Sequence, residues 1–273
     1  MSTPLATLEV LSARAEGEPE GTIAIPVRDH VSAQTMMSLL HNDWSFLGDK
    51  QLDRVVLQGS ILTMQRNEAV QKMRGDYLIF IDDDMVWHPK DIGRLVASYY
   101  ELLDNVELEA FMIGGLCFRR TPPYQPTLYM REKPTSGAYN FLEEWDEGLV
   151  EVDATGCAFL LIPANVFEAI AGTPMPPFAD RERLGGLPSF FRWDKNFGED
   201  LQFCQDAKAA GVRIFVDTRI EIGHVGQIEV RHEHFLQQLA TRTPVMYAQR
   251  LIENKRMGLP TVSPEKARDR LGW

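Results

Sequence analysis

The chain has 273 residues, of which 44% are hydrophobic and 25% are charged. These proportions are ordinary for a soluble globular protein, and the length allows one large α/β domain or two small ones. The formal net charge of −11 argues against attraction of the whole surface to nucleic acid or anionic lipid, although it leaves room for a local basic patch.

The cysteines and the N-terminal segment indicate the cellular compartment in which the protein is expected. Cys117, Cys157 and Cys204 have no CxxC spacing and each lies in an apolar stretch, which predicts buried, reduced thiols in a cytoplasmic protein. No apolar run approaches the ~18 residues that cross a bilayer. Residues 1–21 contain no basic segment followed by an apolar core, so we expect a partly ordered leader rather than a signal peptide.

The first half of the chain predicts alternating strands and helices. Apolar runs indicate strands at 22–27, 54–57 and 77–81, and the segments between and after them indicate helices at 32–40, 61–74 and 89–103. This order predicts βαβ units and a parallel sheet with right-handed crossovers. In such sheets ligands gather at the carboxyl ends of the strands.

The second half changes character near Phe111. We expect strands at 111–118, 149–153, 158–162, 212–217 and 220–226, a short helix after Pro163, a helix at 199–210 and a mobile Gly/Pro-rich loop at 172–188. No linker separates the halves, so they are expected to form one domain over 22–230. A mostly helical extension follows at 231–273.

Three carboxylates, Asp82, Asp83 and Asp84, follow directly on the apolar run 77–81. Neighbouring like charges repel, and burial raises the cost of keeping them ionised, so a bound cation would explain them. Continued strand geometry would place Asp82 and Asp84 on one side of the chain and Asp83 on the other. Such oxygen ligands suit Mg²⁺ or Mn²⁺ together with substrate phosphates. The alternative is a solvated acidic turn, or a cluster that caps the next helix.

Further candidate residues stand at element ends. Asp200 lies at the head of the inward-facing stripe of its predicted helix, which favours a functional role. Its neighbour Glu199 is explained equally well as a first-turn acid that complements the helix dipole. His224 lies between Gly223 and Gly226, which allow close backbone approach, and neutral imidazole suits Mn²⁺. A structural histidine is the alternative.

Arg66 and Asn67 interrupt the apolar pattern of the predicted helix 61–74. An arginine near a phosphate or a base edge can give bidentate recognition. The alternative is an exposed helix cation.

Four segments in this order resemble the GT-A glycosyltransferases, in particular the family-2-like proteins of bacteria and bacteriophages. They are "IAIPVRD", "RNEAVQKMRGDYLIFIDDDMVWHP", "VDATGCAFLLIP" and "FGEDLQFCQDAKAAGVRIFVDTRIEIGHVG", and they span roughly 22–226. The resemblance implies an α/β fold of the GT-A (Rossmann-like) type, with a mostly parallel central sheet flanked by helices. It further implies a nucleotide-binding half at 22–110 and an acceptor half at 111–230. The implied location is the cytoplasm of a bacterium or of a phage-infected host cell.

The resemblance also implies roles for the candidate residues. Asp82 and Asp84 match the DxD pair that holds Mn²⁺ or Mg²⁺ against the donor diphosphate, with Asp84 as direct ligand and Asp82 serving the metal or the ribose. His224 matches the distal histidine of the metal site. Asp200 matches the general base of inverting members, with Glu199 beside it.

The remaining implied contacts concern the donor nucleoside and the sugar or acceptor. The nucleotide-binding set is Pro26, Arg28, Gln58, Arg66, Asn67 and Asp83, and the sugar and acceptor set is Trp193, Asp194 and Gly156. Many members have an aspartate that reads uracil where this chain has Gln58, so UDP- and GDP-linked donors both stay open. The segment "TGCAF" lacks the Gly-x-Gly that members often carry near the acceptor.

The expected function is a metal-dependent glycosyltransferase of the hexosyltransferase type, with inversion favoured over retention. It would move a sugar from a nucleotide-diphosphate sugar to a hydroxyl of a glycan, a protein or a modified DNA base. One alternative is a degenerate domain that binds a nucleotide or glycan without turnover. Another is a sugar nucleotidyltransferase, although "IPVRDHVSAQ" lacks the glycines of that class's phosphate loop.

The end of the chain offers one route to DNA. Residues 242–273 hold seven Lys or Arg against three Asp or Glu, a net charge of +4 that leaves −15 for the rest. The seven cations could follow a phosphate backbone; they are Arg242, Arg250, Lys255, Arg256, Lys266, Arg268 and Arg270. A solvated helix face with a loose terminus is the alternative.

Overall fold

The computed structural model describes residues 19–48, 50–104, 108–131, 138–172, 189–194, 197–226 and 229–272. The predicted leader lies outside the described residues up to residue 18, and the predicted loop at 172–188 does so from residue 173 onward. The bounds that follow refer to the described parts of the chain.

A mixed sheet of nine strands forms the centre of the described structure, and a two-stranded hairpin lies beside it. The sheet strands are β1 (Gly21–Val27), β2 (Leu52–Gln58), β3 (Tyr77–Ile81), β4 (Met85–Val86), β5 (Phe111–Cys117), β8 (Leu149–Val152), β9 (Phe159–Pro163), β10 (Arg213–Val225) and β11 (Glu229–Val230), and the hairpin strands are β6 (Tyr129–Arg131) and β7 (Tyr139–Phe141).

The strand order is β11-β10-β5-β9-β3-β1-β2. The pairs β1–β2, β1–β3 and β5–β10 are parallel, which confirms the predicted α/β fold with its mostly parallel central sheet flanked by helices. Strand β9 is antiparallel to both of its neighbours, β3 and β5. It joins the two halves of the chain into one continuous sheet, whereas the predicted division into functional halves stays a prediction.

The first five helices agree with the predicted ones to within a few residues, whereas the last three had been predicted only as one mostly helical extension. The helices are α1 (Ala33–His41), α2 (Leu62–Lys72), α3 (Asp91–Leu103), α4 (Ala164–Ala171), α5 (Glu199–Ala209), α6 (His232–Ala240), α7 (Pro244–Met257) and α8 (Pro264–Leu271). Ser32 caps α1, because its Oγ accepts a hydrogen bond from the Thr35 backbone N–H at 3.0 Å.

Strand β3 runs through the middle of the core, with all five residues completely buried. Leu78 and Phe80 pack into one apolar cluster, and Tyr77, Ile79 and Ile81 pack into the cluster on the opposite face. This double burial explains the uninterrupted apolar run, which is the pattern of a strand that is covered on both faces.

Two expectations from composition can be compared with the fold. The three cysteines are buried and form no disulfide, as predicted, and burial raises the pKa of Cys204 to about 12. Within the described ranges, none of the helices combines the length and the apolar character that a bilayer crossing needs.

The C-terminal helices are tied to the body by ion pairs. Glu143 is completely buried, and its Oε1 lies 2.8 Å from nitrogens of both Arg242 and Arg250. Its Oε2 accepts a hydrogen bond from the Val262 backbone at 3.1 Å. Helices α6, α7 and α8 therefore form a docked extension of the domain.

Most of the seven C-terminal cations already have acidic or backbone partners. Besides the pairs with Glu143, Lys266 and Arg270 contact Glu144, and Arg268 donates to the Ala240 carbonyl at 3.1 Å. Within the described part of the chain, Lys255 and Arg256 alone among the seven have no such partner. The DNA-binding hypothesis thus has two cations available where it assumed seven, and it stays a prediction.

Replacing Glu143 by glutamine is expected to lower the free energy of unfolding by about 3 kcal/mol, because it removes the buried counter-charge of two largely buried guanidinium groups, Arg242 and Arg250. Urea denaturation followed by circular dichroism measures this change. The matched control is Glu253→Gln, which alters an exposed partner of the same Arg250 at 3.4 Å and should cost less than about 0.5 kcal/mol. Equal effects of the two substitutions would contradict the prediction.

Candidate active site

The three consecutive aspartates point to three different groups. Strand β3 ends at Ile81, and residues 83 and 84 form a turn, so the premise of continued strand alternation is wrong. The Asp82 carboxylate contacts Arg66, that of Asp83 accepts the Arg28 backbone N–H at 3.3 Å, and that of Asp84 lies beside His224. The turn spreads the charges, which reduces their mutual repulsion.

Backbone pairing brings Asp84 and His224 together across 140 positions of sequence. The short strand β4 pairs antiparallel with β10, so that Met85 lies opposite His224, and the Val225 N–H donates to the Asp84 carbonyl at 2.8 Å. The His224 Nε2 then lies 3.2 Å from Asp84 Oδ2. A Cβ at Gly223 would lie 2.5 Å from Oε1 of Glu229, so a larger residue at this position would displace the Glu229 side chain.

The contact of the second ring nitrogen of His224 shows which of the two nitrogens carries the proton. Nδ1 lies 2.8 Å from the Phe118 carbonyl, which can only accept, so Nδ1 carries the proton. In the neutral ring, Nε2 therefore directs a lone pair at the Asp84 carboxylate, so that either a proton on Nε2 or a bound cation must lie between the two atoms. Metal-binding histidines commonly donate their other N–H to a backbone carbonyl in this way.

The donor set at this point fits a divalent cation in part. Asp84 and His224 supply one oxygen and one nitrogen, a pair that suits a transition metal such as Mn²⁺. Among the residues that the structure describes, no group of three His, Cys, Asp or Glu side chains comes together as a ready-made metal site. The pair would need further ligands from substrate phosphates or water, which is usual for Mg²⁺ and Mn²⁺ at phosphate-binding sites.

Arg66 links Asp82 to the head of α5. Its Nη2 lies 2.9 Å from Asp82 Oδ1 and its Nη1 lies 2.6 Å from Glu199 Oε1. The Arg66 side chain is only 3% exposed, so the alternative of an exposed helix cation is wrong. Attraction to the two carboxylates outweighs burial and holds the pKa of Arg66 above its usual range. In this structure its guanidinium binds protein carboxylates, and a contact with nucleotide stays a prediction.

Asn67 is also occupied by protein groups. Its amide nitrogen donates to the carbonyls of Thr63 and Phe191, both at 2.7 Å, and its amide oxygen accepts the Phe191 N–H at 3.0 Å. Asn67 thereby holds the segment before α5 against α2. Its predicted contact with a nucleotide remains untested.

Asp200 is held at the first turn of α5. Its Oδ1 accepts the Leu201 N–H at 2.7 Å, and its Oδ2 lies 3.8 Å from the position that a Cβ on Gly156 would take. Burial raises the pKa of Asp200, although Arg66 opposes the shift. Gly156 therefore lies directly beside a carboxylate whose proton affinity is increased, and a Cβ at this position would contact both Asp200 and Thr127.

The residues around Asp200 include the other predicted sugar and acceptor positions. Trp193 is 65% exposed, and its ring lies 3.7 Å from the position that a Cβ on Gly198 would take. Asp194 is exposed and its backbone N–H donates to the Phe197 carbonyl at 3.4 Å. An exposed indole of this kind can stack on a sugar ring, which keeps both positions as candidates.

The predicted nucleoside contacts lie at the carboxyl ends of β1 and β2. Val27 pairs with Gln58, so Pro26, Arg28 and Gln58 belong to the same edge of the sheet. Arg28 and Gln58 are exposed, whereas Pro26 is buried. Their positions agree with the rule that ligands bind at this edge, and their contacts with a nucleoside stay predictions.

The structure adds three polar residues that the sequence analysis did not select. Arg120 donates to Asp84 at 2.6 Å. The buried Gln65 donates to the carbonyls at the ends of β1 and β2 and so ties these strands together. Burial and the charge of Asp200 raise the pKa of Tyr129 to about 12. The sequence carried no signal for Arg120 beyond its place in a Pro-rich loop.

Comparison with known proteins identifies the central segment. Residues 58–160 match the family model described as glycosyl transferase family 2, and they run from the end of β2 into β9. They include Asp82 and Asp84 and stop before Asp200 and His224. None of the curated proteins matches the chain.

Among solved structures, the crystal structure of A197 from STIV is similar to this chain with a TM-score of 0.45 at 18% identity, over 75% of this chain and 85% of that one. The family match bears out the resemblance over residues 58–160, which contain the second of the four sequence segments and most of the third.

Proposed function

We propose that this protein is a metal-dependent glycosyltransferase that moves a sugar from a UDP- or GDP-linked donor to a hydroxyl acceptor. The match to glycosyltransferase family 2 supports the transferase activity in general. The donor, the metal dependence and the residue roles are our inference from the geometry of the site.

The observation that carries the proposal is the convergence of distant polar groups on the turn that follows β3. Asp84 lies 3.2 Å from His224, and Arg66 connects Asp82 to Glu199. Charged groups from both halves of the chain thus meet beside the carboxyl edge of the sheet, where a nucleotide and a second substrate could bind together.

Asp84 and His224 would hold the divalent cation. Such a cation neutralises the charge that develops on the leaving diphosphate. Pro26, Arg28, Gln58 and Asp83 would contact the nucleoside at the neighbouring strand ends. The Nδ1 hydrogen bond to Phe118 would keep the imidazole in the orientation that binding requires.

Asp200 would act as the general base that takes the proton from the acceptor hydroxyl. Its Oδ2 lies beside the predicted acceptor position Gly156, and its raised pKa brings it closer to the range that favours proton transfer near neutral pH. Glu199 is paired with Arg66, so we assign it a positioning role. A base acting directly on the acceptor is consistent with inversion of configuration and with a hexosyl donor, and both remain part of the proposal.

Binding of the donor nucleotide can be tested by thermal denaturation with UDP or GDP, each with and without Mn²⁺. At 100 times Kd the stabilisation is about 2.7 kcal/mol, which raises the Tm of a chain of this size by about 5 °C. The shift should appear with one of the two nucleotides, should depend on Mn²⁺, and should be lost in Asp84→Asn. A shift without Mn²⁺ dependence would contradict the assigned metal role.

The pH profile tests the role of Asp200. A general base must be deprotonated to act, and burial raises the pKa of Asp200. The acid limb of kcat/KM should therefore fall off at a higher pH than the ordinary aspartate pKa of about 3.9 would give. A profile of kcat/KM between pH 4 and pH 9 at saturating Mn²⁺ measures it. A limb at or below the ordinary value would exclude Asp200 as this base.

Hydrolysis of the donor distinguishes a glycosyltransferase from a protein that only binds the nucleotide or glycan. Many transferases slowly hydrolyse their donor when the acceptor is missing, because water can occupy the acceptor position. Mn²⁺-dependent release of UDP or GDP from a nucleotide sugar is expected, and its loss in Asp200→Asn would support transfer chemistry. Nucleotide binding without any release, with or without acceptors, would favour the degenerate domain.

A further inference from the structure

The loop after β5 places an arginine at the candidate cation position. Arg120 Nη1 donates to Asp84 Oδ2 at 2.6 Å, and the same oxygen lies 3.2 Å from His224 Nε2. The guanidinium thus neutralises the carboxylate that the proposed function assigns to a divalent cation. The Arg120 guanidinium and a metal ion would therefore compete for Asp84 Oδ2.

The backbone around Arg120 is held in place by hydrogen bonds that do not involve its side chain. The Arg119 N–H donates to the Gln125 carbonyl at 2.9 Å, and the Thr127 N–H donates to the Cys117 carbonyl at 2.9 Å. A bridge between Phe118 and Pro126 closes the same loop. The Arg120 backbone therefore stays at a position from which the side chain can reach Asp84, whichever group its guanidinium contacts.

The guanidinium itself can leave Asp84 at low cost. The Arg120 side chain is 58% exposed, and solvent screens an ion pair of that kind. A doubly charged ion on Asp84 would repel the guanidinium at close range. Phosphate oxygens bound to the same ion would attract it, because arginine forms short, charge-assisted and often bidentate bonds with phosphate.

We propose that Arg120 is a diphosphate-binding residue that occupies the cation position on Asp84 until a divalent cation and the donor nucleotide replace it. The inference rests on the proposed function, since it needs a diphosphate bridged to a cation at Asp84. It gives Arg120 two successive partners: Asp84 in the free protein and the donor diphosphate in the loaded one.

The test compares two binding measurements in Arg120→Gln and wild type. Without nucleotide, the variant should bind Mn²⁺ about two- to fivefold more tightly, as free Mn²⁺ measured by electron paramagnetic resonance will show, because the competing guanidinium is gone. At saturating Mn²⁺, the variant should bind UDP or GDP about tenfold more weakly in calorimetry, because one charge-assisted hydrogen bond is lost. Arg120→Lys should lie between the two.

Arg119→Gln is the matched control, since Arg119 belongs to the same loop and its Nη1 contacts Gln125 at 3.3 Å instead of Asp84. It should leave both affinities unchanged, and melting temperatures should show that the variants fold. Opposite shifts in Arg120→Gln alone support the inference. If wild type binds a nucleotide with Mn²⁺ and Arg120→Gln matches Arg119→Gln, the role of Arg120 is overturned and the proposed function stands. If wild type binds neither UDP nor GDP with Mn²⁺, both are overturned.

Discussion

Replacing Asp200 by asparagine is expected to lower kcat by about 10²- to 10⁴-fold, the usual contribution of a general base. The asparagine oxygen can still accept the Leu201 N–H that Asp200 Oδ1 accepts at 2.7 Å, so the first turn of α5 should be preserved. The affinity for nucleotide and Mn²⁺ should not change, because the carboxylate acts on the acceptor. Steady-state kinetics and calorimetry on the same preparations measure both quantities.

The thermal stability of Asp200→Asn shows whether a loss of kcat could come from unfolding. Burial raises the pKa of Asp200 above its value in the unfolded chain, so the folded protein loses stability as the pH rises through that folded-state pKa. An uncharged asparagine avoids this loss, and Asp200→Asn should have an equal or higher Tm at pH 8. Asp269→Asn, on the exposed side of α8, should leave kcat unchanged. A kcat within tenfold of wild type in Asp200→Asn would exclude it as the base.

Replacing Arg66 by methionine is expected to lower the free energy of unfolding by about 3 to 5 kcal/mol. Methionine fills similar space, but it leaves Asp82 and Glu199 without their shared cation, and Glu199 is only 7% exposed. Breaking a buried ion pair by removing one partner has this cost because a buried charge is left uncompensated. Urea denaturation measures it, and donor turnover should fall in parallel because α5 carries Asp200.

The double variant Arg66→Met, Glu199→Gln separates charge from packing. It should recover a large part of the lost stability, because the remaining carboxylate of Asp82 is 25% exposed and can be solvated. Arg74→Met is the matched control, since Arg74 is 58% exposed and lies 3.9 Å from Asp53; it should cost less than about 0.5 kcal/mol. A loss below 1 kcal/mol in Arg66→Met would show that the network is not needed for the fold.

The sequence predicted most of the elements because their patterns are local. The run 77–81 could be recognised as a strand that is buried on both faces, and the position of the carboxylates at the carboxyl end of that strand followed from it. The direction of β9 could not be predicted, because its apolar run has the same appearance in either direction. Its antiparallel direction is set by the path of the connection that leads into it, and that path is a property of the whole topology.

In helix α2, the hydrophobic periodicity of the sequence does not identify the buried face. The residues that it buries are Gln65, Arg66, Asn67 and Ala69, so its inward face is mainly polar. A hydrophobic pattern would assign these residues to solvent. They are buried because their partners are charged or polar groups, and one of them, Glu199, is 133 positions away in sequence. No single-sequence pattern encodes such a pairing.

The central place of β9 has a consequence for synthesis on the ribosome. Strand β3 is complete at residue 81, but its second edge is paired only by Phe159–Pro163, nearly eighty residues later. Until that segment has been made, a fully apolar strand has an open edge of the kind on which aggregation begins. Fragments that end before residue 159 should therefore need chaperones, and a nascent chain should become resistant to protease only after β9 has emerged.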